Sequence, residues 1–134
     1  MARILLIDDD DLLREALAIA LIEAGHTVRQ AADGKPGVKL FRAEPADLVI
    51  TDIIMPDRDG IETIIALHHE YPDLPIIAMS GFARASKLFL DLANRLGARR
   101  TLAKPFPPAV LLHTVEEVLA KRRGPGPAGP LSPT

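Results

Sequence analysis

Reactive polar residues follow short aliphatic segments at four points in the chain. A run of four aspartates that includes Asp8 and Asp9 follows the segment ILLI, and Asp52 follows LVIT. Ser80 follows IIAM, and Lys104 follows TLA. Because the arrangement repeats along the sequence, the same end of several buried segments would carry carboxylates, a hydroxyl and an ammonium. Such a set can hold a cation and stabilise a transferring phosphoryl group.

The acidic residues indicate a cation site. Asp8, Asp9 and Asp52 would crowd negative charge together, which is unfavourable unless a cation neutralises it or one carboxyl takes up a proton. Oxygen ligands without His or Cys favour a hard ion, so Mg²⁺ is the natural candidate. Asp10 and Asp11 have a simpler interpretation, because an aspartate at a helix N-terminus caps the helix that follows.

Asp52, Ser80 and Lys104 suit phosphoryl transfer. A carboxylate beside Mg²⁺ can attack phosphorus and form an aspartyl phosphate. The Ser80 hydroxyl and a backbone N–H near Gly81 could donate hydrogen bonds to the phosphoryl oxygens, and Lys104 could supply a positive charge. Each of these residues alone is also typical of an ordinary surface turn, so the hypothesis depends on their lying together.

Alternating aliphatic and amphipathic segments predict the elements that would position these residues. Five strands are predicted at Arg3–Ile7, Thr27–Ala31, Asp47–Thr51, Pro75–Met79 and Arg99–Ala103. Five helices are predicted at Asp11–Ala24, Gly34–Glu44, Ile61–Tyr71, Ala85–Leu96 and Pro107–Arg123. This alternation predicts an α/β protein with a doubly wound parallel sheet covered on both faces. In such sheets the functional site lies beyond the carboxyl ends of the strands.

Helical periodicity also predicts which residues face the sheet. The first helix is expected to present Leu13, Ala16, Leu17, Ala20, Leu21 and Ala24. The last helix is expected to present Val110, Leu111, Val115, Val118 and Leu119. The histidines have no ligand-like spacing to the acids and are expected at the surface or at an edge.

Composition limits the class of protein. The chain has 134 residues, 48% hydrophobic and 25% charged, which is typical of one folded domain. Residues 2–123 are predicted to fold, whereas residues 124–134 are rich in Pro and Gly and indicate a flexible tail or the start of a linker. The net charge of −2 gives no basis for direct nucleic-acid binding, and the absence of Cys excludes zinc–thiolate sites. No segment suits a signal peptide or a membrane span, so a cytoplasmic location is expected.

Four motifs together resemble the receiver domains of two-component response regulators, the CheY-like family. They are ILLIDDD, LVITDIIMPDRDG, IIAMSG and LAKPF, and they occur in the family's order and spacing. The resemblance covers about residues 2–122. It implies a flavodoxin-like fold with strand order 2-1-3-4-5, and a switch that catalyses only its own phosphorylation and dephosphorylation.

The resemblance also assigns roles to the acidic residues. Asp52 resembles the phosphoacceptor, and Asp8 and Asp9 resemble the acid pair that holds Mg²⁺ together with Asp52. Ile54 occupies the position at which the family offers a backbone carbonyl to the metal, a role that any side chain permits.

Further roles follow for the residues at the last two strands. Ser80 resembles the hydroxyl residue that contacts the phosphoryl group and signals its arrival, and Gly81 would contribute a backbone N–H. Lys104 resembles the salt-bridging lysine, and the bond from Lys104 to Pro105 is expected to be cis. Thr101 stands where the family often has an aromatic switch residue, so the usual rotamer switch would be absent or altered.

Partners follow from the same resemblance. A sensor histidine kinase or a histidine phosphotransfer protein would donate the phosphoryl group, and phosphorylation would alter binding of a downstream protein by a monomer or weak homodimer. Two alternatives remain. One is a pseudo-receiver that binds partners without phosphate; the other is a Mg²⁺-dependent phosphohydrolase. The latter is disfavoured, because Ile54 stands where an aspartate-based phosphatase would have a second Asp.

Overall fold

Five parallel strands form one sheet in the computed structural model, which describes residues 1–53, 60–81 and 91–123. The strands are β1 (Arg3–Ile7), β2 (Thr27–Ala31), β3 (Leu48–Asp52), β4 (Ile76–Ser80) and β5 (Arg100–Ala103). Their spatial order is β2-β1-β3-β4-β5, which confirms the predicted topology. Asp52 and Ser80 are the last residues of their strands, one residue beyond the predicted ends, because they pair with Met79 and Ala103 and so extend the ladder.

Helices cover the sheet and join its strands. They are α1 (Asp11–Glu23), α2 (Gly34–Ala43), α3 (Gly60–Glu70), α4 over residues 91–96, and α5 (Pro108–Arg123). The first six residues of the predicted fourth helix, 85–90, lie outside the described residues, as does the predicted tail 124–134. Within the described part of the chain, no helix combines the length and apolarity that crossing a membrane requires.

Two hydrophobic layers hold the sheet between the helices. Side chains alternate between the faces of a strand, so Leu5 and Ile7 enter one layer while Ile4 and Leu6 enter the other. All residues of β3 and β4 are buried, which explains why their sequences are almost entirely apolar up to the terminal Asp and Ser. The polar ends of these strands are therefore fixed by a rigid, close-packed support.

The structure corrects details of the predicted helix faces. Ala16 of α1 and Ala24, which follows the helix as its C-cap, are exposed, whereas Ala18 is buried beside Leu17 and Leu21. In α5, Val110 is 40% exposed because it precedes the buried Leu111 by about 100° of helix rotation. Helical periodicity therefore locates the buried face of each helix but does not fix how wide that face is.

His26, expected at the surface or at an edge, directly precedes the edge strand β2 but is buried. Only 6% of the residue is exposed, and its Nδ1 accepts a hydrogen bond of 3.1 Å from the backbone N–H of Ala2. Its Nε2 lies 3.7 Å from the Glu116 carboxylate of α5. The side chain thus joins the start of β1, the start of β2 and a covering helix.

Candidate functional site

Asp8 and Asp52 lie side by side at the carboxyl end of the sheet. They directly follow the paired residues Ile7 and Thr51 of β1 and β3. Both are buried, with exposures of 0% and 5%. The Asp8 backbone N–H bonds to the carbonyl of Ala31, and its Oδ1 accepts a hydrogen bond of 2.9 Å from the N–H of Asp10. The burial of two neighbouring carboxylates requires compensating positive charge.

Lys104 supplies part of that charge from the end of β5. Its Nζ lies 2.8 Å from Asp8 Oδ2 and 3.1 Å from Asp52 Oδ2, so one ammonium bridges the two buried carboxylates. Burial by itself would lower the pKa of Lys104, but the hydrogen bond to Asp8 and the charge of Asp52 outweigh it and raise the pKa. Lys104 is therefore charged at neutral pH and fixed in place.

Asp9 completes an acidic cluster with a donor set suited to a metal ion. One carboxylate oxygen each from Asp8, Asp9 and Asp52 lies within 4.8 Å of the others. Partial burial, reinforced by the negative charge of Asp8, raises the pKa of Asp9. The ammonium of Lys104 pairs with Asp8 and Asp52 only, so one positive charge faces a cluster of three carboxylates, and the residues fit a hard divalent cation. The proposed carbonyl ligand, Ile54, lies outside the described residues.

Ser80 ends the neighbouring strand β4 and is completely buried. It follows Met79, the residue paired with Asp52, and among residues 1–53, 60–81 and 91–123 its Oγ has no hydrogen-bond partner. An unsatisfied buried hydroxyl costs about 1–3 kcal/mol, so its retention requires an explanation. Its carbonyl accepts a 2.7 Å hydrogen bond from the N–H of Lys104. Gly81 lies beside the same lysine, because a Cβ there would approach Lys104 Cδ to 3.4 Å.

Two further expectations concern β5 and its end. The Lys104–Pro105 peptide bond is cis, as predicted. Thr101 is partly buried and pairs with Ala78. The next residue, Leu102, packs into the hydrophobic layer on the other face of the sheet from Ala78. Alternation therefore places Thr101 on the same face of the sheet as Ser80. Its role as a switch residue stays a prediction.

Gly60 is a supporting residue that the sequence reasoning did not single out. It begins α3, is buried, and donates a hydrogen bond of 3.2 Å to the carbonyl of Ile53. A Cβ at this position would overlap the backbone of Asp52 and Ile53. Only glycine permits so close an approach of the two backbones, so the start of α3 packs directly against the backbone of Asp52 and Ile53. The Asp59-Gly60 pair was the available signal, although it indicates a turn rather than a contact.

Comparison with known families decides what kind of domain carries this site. The profile described as "Response regulator receiver domain" matches residues 4–116, which is most of the chain. The chain belongs to this family. Receiver domains of two-component systems interact with histidine kinases and typically act as switches rather than as enzymes on a separate substrate.

Individual relatives agree in sequence and fold. The response regulator receiver protein CpdR of Brucella abortus is 38% identical over 119 residues, which cover 89% of this chain and 98% of CpdR. The transcriptional regulatory protein CseB of Streptomyces coelicolor is 34% identical over 118 residues, covering 88% of this chain and 49% of CseB. The chain thus spans about half the length of such transcriptional regulators.

A solved structure shows the same architecture. The CheY-like response regulator receiver domain protein from Methanospirillum hungatei superposes with a TM-score of 0.86 at 28% sequence identity. The match covers 94% of this chain and 99% of that chain. The fold assignment therefore holds over nearly the whole of both chains.

Proposed function

We propose that this receiver domain accepts a phosphoryl group on Asp52 in a Mg²⁺-dependent reaction and thereby switches its binding to a partner. The observation that carries the proposal is the buried Ser80 Oγ, which lies next to a centre of carboxylates and an ammonium and has no hydrogen-bond partner in the part of the chain that the structure describes. A phosphoryl group on Asp52 would give that hydroxyl an acceptor. The cost of burying Ser80 unsatisfied is then explained by the phosphorylated state.

The reaction we infer is an in-line displacement at phosphorus. A carboxylate oxygen of Asp52 forms the new P–O bond while the P–N bond to the donor's phosphohistidine breaks, and the imidazole leaves. Lys104 is positioned to attract the phosphoryl oxygens, and Ser80 and the N–H of Gly81 are the proposed hydrogen-bond donors. The rigid strand ends hold these groups before the donor arrives, so little reorganisation is needed.

The cation site would be formed by Asp8, Asp9 and Asp52, with the carbonyl of Ile54 as a further proposed ligand. When bound, Mg²⁺ would neutralise the carboxylates and the incoming phosphoryl oxygens. The proposal is supported by the excess of negative charge at the cluster and by its all-oxygen donors.

The switch would operate through the change in charge at Asp52. Phosphorylation adds negative charge close to Lys104 and Ser80, and it favours whichever conformation brings both donors to the phosphoryl group. Thr101 shares a sheet face with Ser80 and is the proposed relay in place of an aromatic residue. The donor is proposed to be a sensor histidine kinase or a histidine phosphotransfer protein, and the acting form a monomer or weak homodimer.

Intact-mass spectrometry after incubation with acetyl phosphate tests this proposal. We expect a phosphoryl-sized mass gain that requires Mg²⁺, disappears in Asp52→Asn, and persists in the control Asp11→Asn, which removes an exposed carboxylate from the same acidic run. Ser80→Ala should slow the gain and Ser80→Thr should retain it, since only the hydroxyl is proposed to act. A gain that survives Asp52→Asn would contradict the assignment, and no gain together with no Mg²⁺ binding would favour a pseudo-receiver.

A further inference from the structure

Arg14 of α1 contacts the backbone of the acidic cluster at Asp8 and also bonds to Gln30 of β2 and Asp11 of its own helix. Its side chain is 14% exposed. Nη1 donates a hydrogen bond of 2.6 Å to the backbone carbonyl of Asp8, and Nε donates one of 3.1 Å to Gln30 Oε1 on β2. Nη1 also lies 2.9 Å from Asp11 Oδ1. None of these contacts was expected from the sequence.

The Asp8 carbonyl that Arg14 contacts belongs to the peptide between Asp8 and Asp9, two of the proposed cation ligands. A peptide unit is planar, so holding the carbonyl oxygen of Asp8 fixes the plane that also contains the Asp9 nitrogen and Cα. The Asp8 side chain is independently held by Lys104 and by the N–H of Asp10. Asp9 is exposed, and the orientation of its backbone is therefore the part of the cluster that Arg14 controls.

Gln30 makes the position of the guanidinium specific. Its backbone pairs with Leu6 of β1, so its exposed side chain extends from a fixed strand. By accepting from Nε it sets the plane of the guanidinium, which leaves Nη1 directed at Asp8. The ion pair with Asp11 contributes little to this, because the Asp11 side chain is 80% exposed.

We propose that Arg14 is a positioning residue for the divalent-cation site, acting through the Asp8–Asp9 peptide rather than through its charge. The inference rests on the proposed function and adds to it a residue that touches neither the ion nor the phosphoryl group. Supporting groups of this kind commonly change metal affinity by about 10–100-fold when they are removed.

The sign of the effect separates positioning from electrostatics. Arg14 brings positive charge near a site that binds a cation, so a purely electrostatic role predicts that Arg14→Met strengthens Mg²⁺ binding. A positioning role predicts weaker binding in Arg14→Met and also in Arg14→Lys, which keeps the charge but cannot contact Asp8 and Gln30 together. A merely structural role predicts reduced stability with unchanged Mg²⁺ affinity of the folded protein.

Isothermal titration calorimetry of the whole chain with MgCl₂ measures this effect. We expect about tenfold weaker binding for Arg14→Met, smaller weakening for Arg14→Lys, and no change for the control Arg42→Met, whose guanidinium bonds only to the exposed Glu70 among the described contacts. The double variant Arg14→Met/Gln30→Met should match Arg14→Met, because Gln30 is proposed to act through Arg14. Unchanged or tighter binding in Arg14→Met would overturn the inference.

A second measurement, on the metal-free protein, keeps this inference separate from the proposed function. Amide hydrogen exchange followed by NMR should be faster at Asp9 and Asp10 in Arg14→Met than in the wild type and in Arg42→Met. Unchanged exchange at both amides would overturn the positioning role whatever the ion does. Failure of the wild type to bind Mg²⁺ would instead contradict the proposed function, and the exchange data would still decide the role of Arg14.

Discussion

The two ends of the parallel sheet hold polar groups under different conditions. At the amino end, His26 accepts from the N–H of Ala2, and Asp47 Oδ2 accepts from the N–H of Arg3 at 2.9 Å. At the carboxyl end, one ammonium, that of Lys104, serves a cluster of three carboxylates and contacts two of them, and the buried Ser80 Oγ has no partner among the described residues. Groups at the amino end are arranged to stabilise the protein as it stands.

The arrangement at the carboxyl end suits the cation and the phosphoryl group of the proposed function. Excess negative charge and an unsatisfied hydroxyl both cost stability, and both would be compensated by a cation and a phosphoryl group. Functional sites commonly retain such unfavourable arrangements at a cost in stability. Substitutions at the two ends should therefore affect stability and phosphorylation differently.

The largest effect on stability is expected for Lys104→Met. It leaves Asp8 and Asp52 buried without their shared ammonium, so the free energy of unfolding without divalent cations should fall by about 3 kcal/mol. Urea denaturation measures this loss, with the exposed Lys39→Met as a control for removing a lysine. Added Mg²⁺ should stabilise Lys104→Met more than the wild type, because the ion replaces the missing charge. Equal stability of the two variants would show that the ammonium does not compensate the buried carboxylates.

A smaller loss, with phosphorylation unaffected, is expected for His26→Leu at the amino end. The substitution leaves the buried N–H of Ala2 without an acceptor, which costs about 1–2 kcal/mol. His26→Asn is the matched variant, because an amide oxygen can take over the hydrogen bond. Thermal unfolding and the acetyl phosphate reaction measure the two properties. Slower phosphorylation of folded His26→Leu would contradict the proposal that the two ends of the sheet have different roles.

The smallest change in stability, with the opposite sign, is expected for Asp9→Asn. Partial burial and the charge of Asp8 raise the pKa of Asp9, so folding disfavours its ionised form. Because Asp9 is largely exposed, neutralising it should stabilise the metal-free protein by only a few tenths of a kcal/mol. Calorimetry should show weaker Mg²⁺ binding in the same variant. Destabilisation without any change in Mg²⁺ affinity would place Asp9 outside the cation site.

The strand ends were largely predictable because the signal is local. Buried parallel strands are continuous apolar runs, and the polar residue that ends each run must lie at one edge of the sheet. Asp8, Asp52, Ser80 and Lys104 were located in this way, with the ends of β3 and β4 displaced by one residue. The family's motifs supplied the strand order, which local patterns alone do not determine.

The sequence by itself determined the alternation of strands and helices, the chemical character of the carboxyl edge, and an aspartate cap for α1, which the structure assigns to Asp10. Only the tertiary structure decided which groups meet across the chain, because those contacts depend on backbone register and on close packing rather than on neighbouring residues. The reach of Lys104 to two carboxylates, the burial of His26, and the contact of Arg14 with the Asp8 carbonyl all join residues from separate elements or across a loop. No periodicity encodes such distances, and the folded sheet alone fixes them.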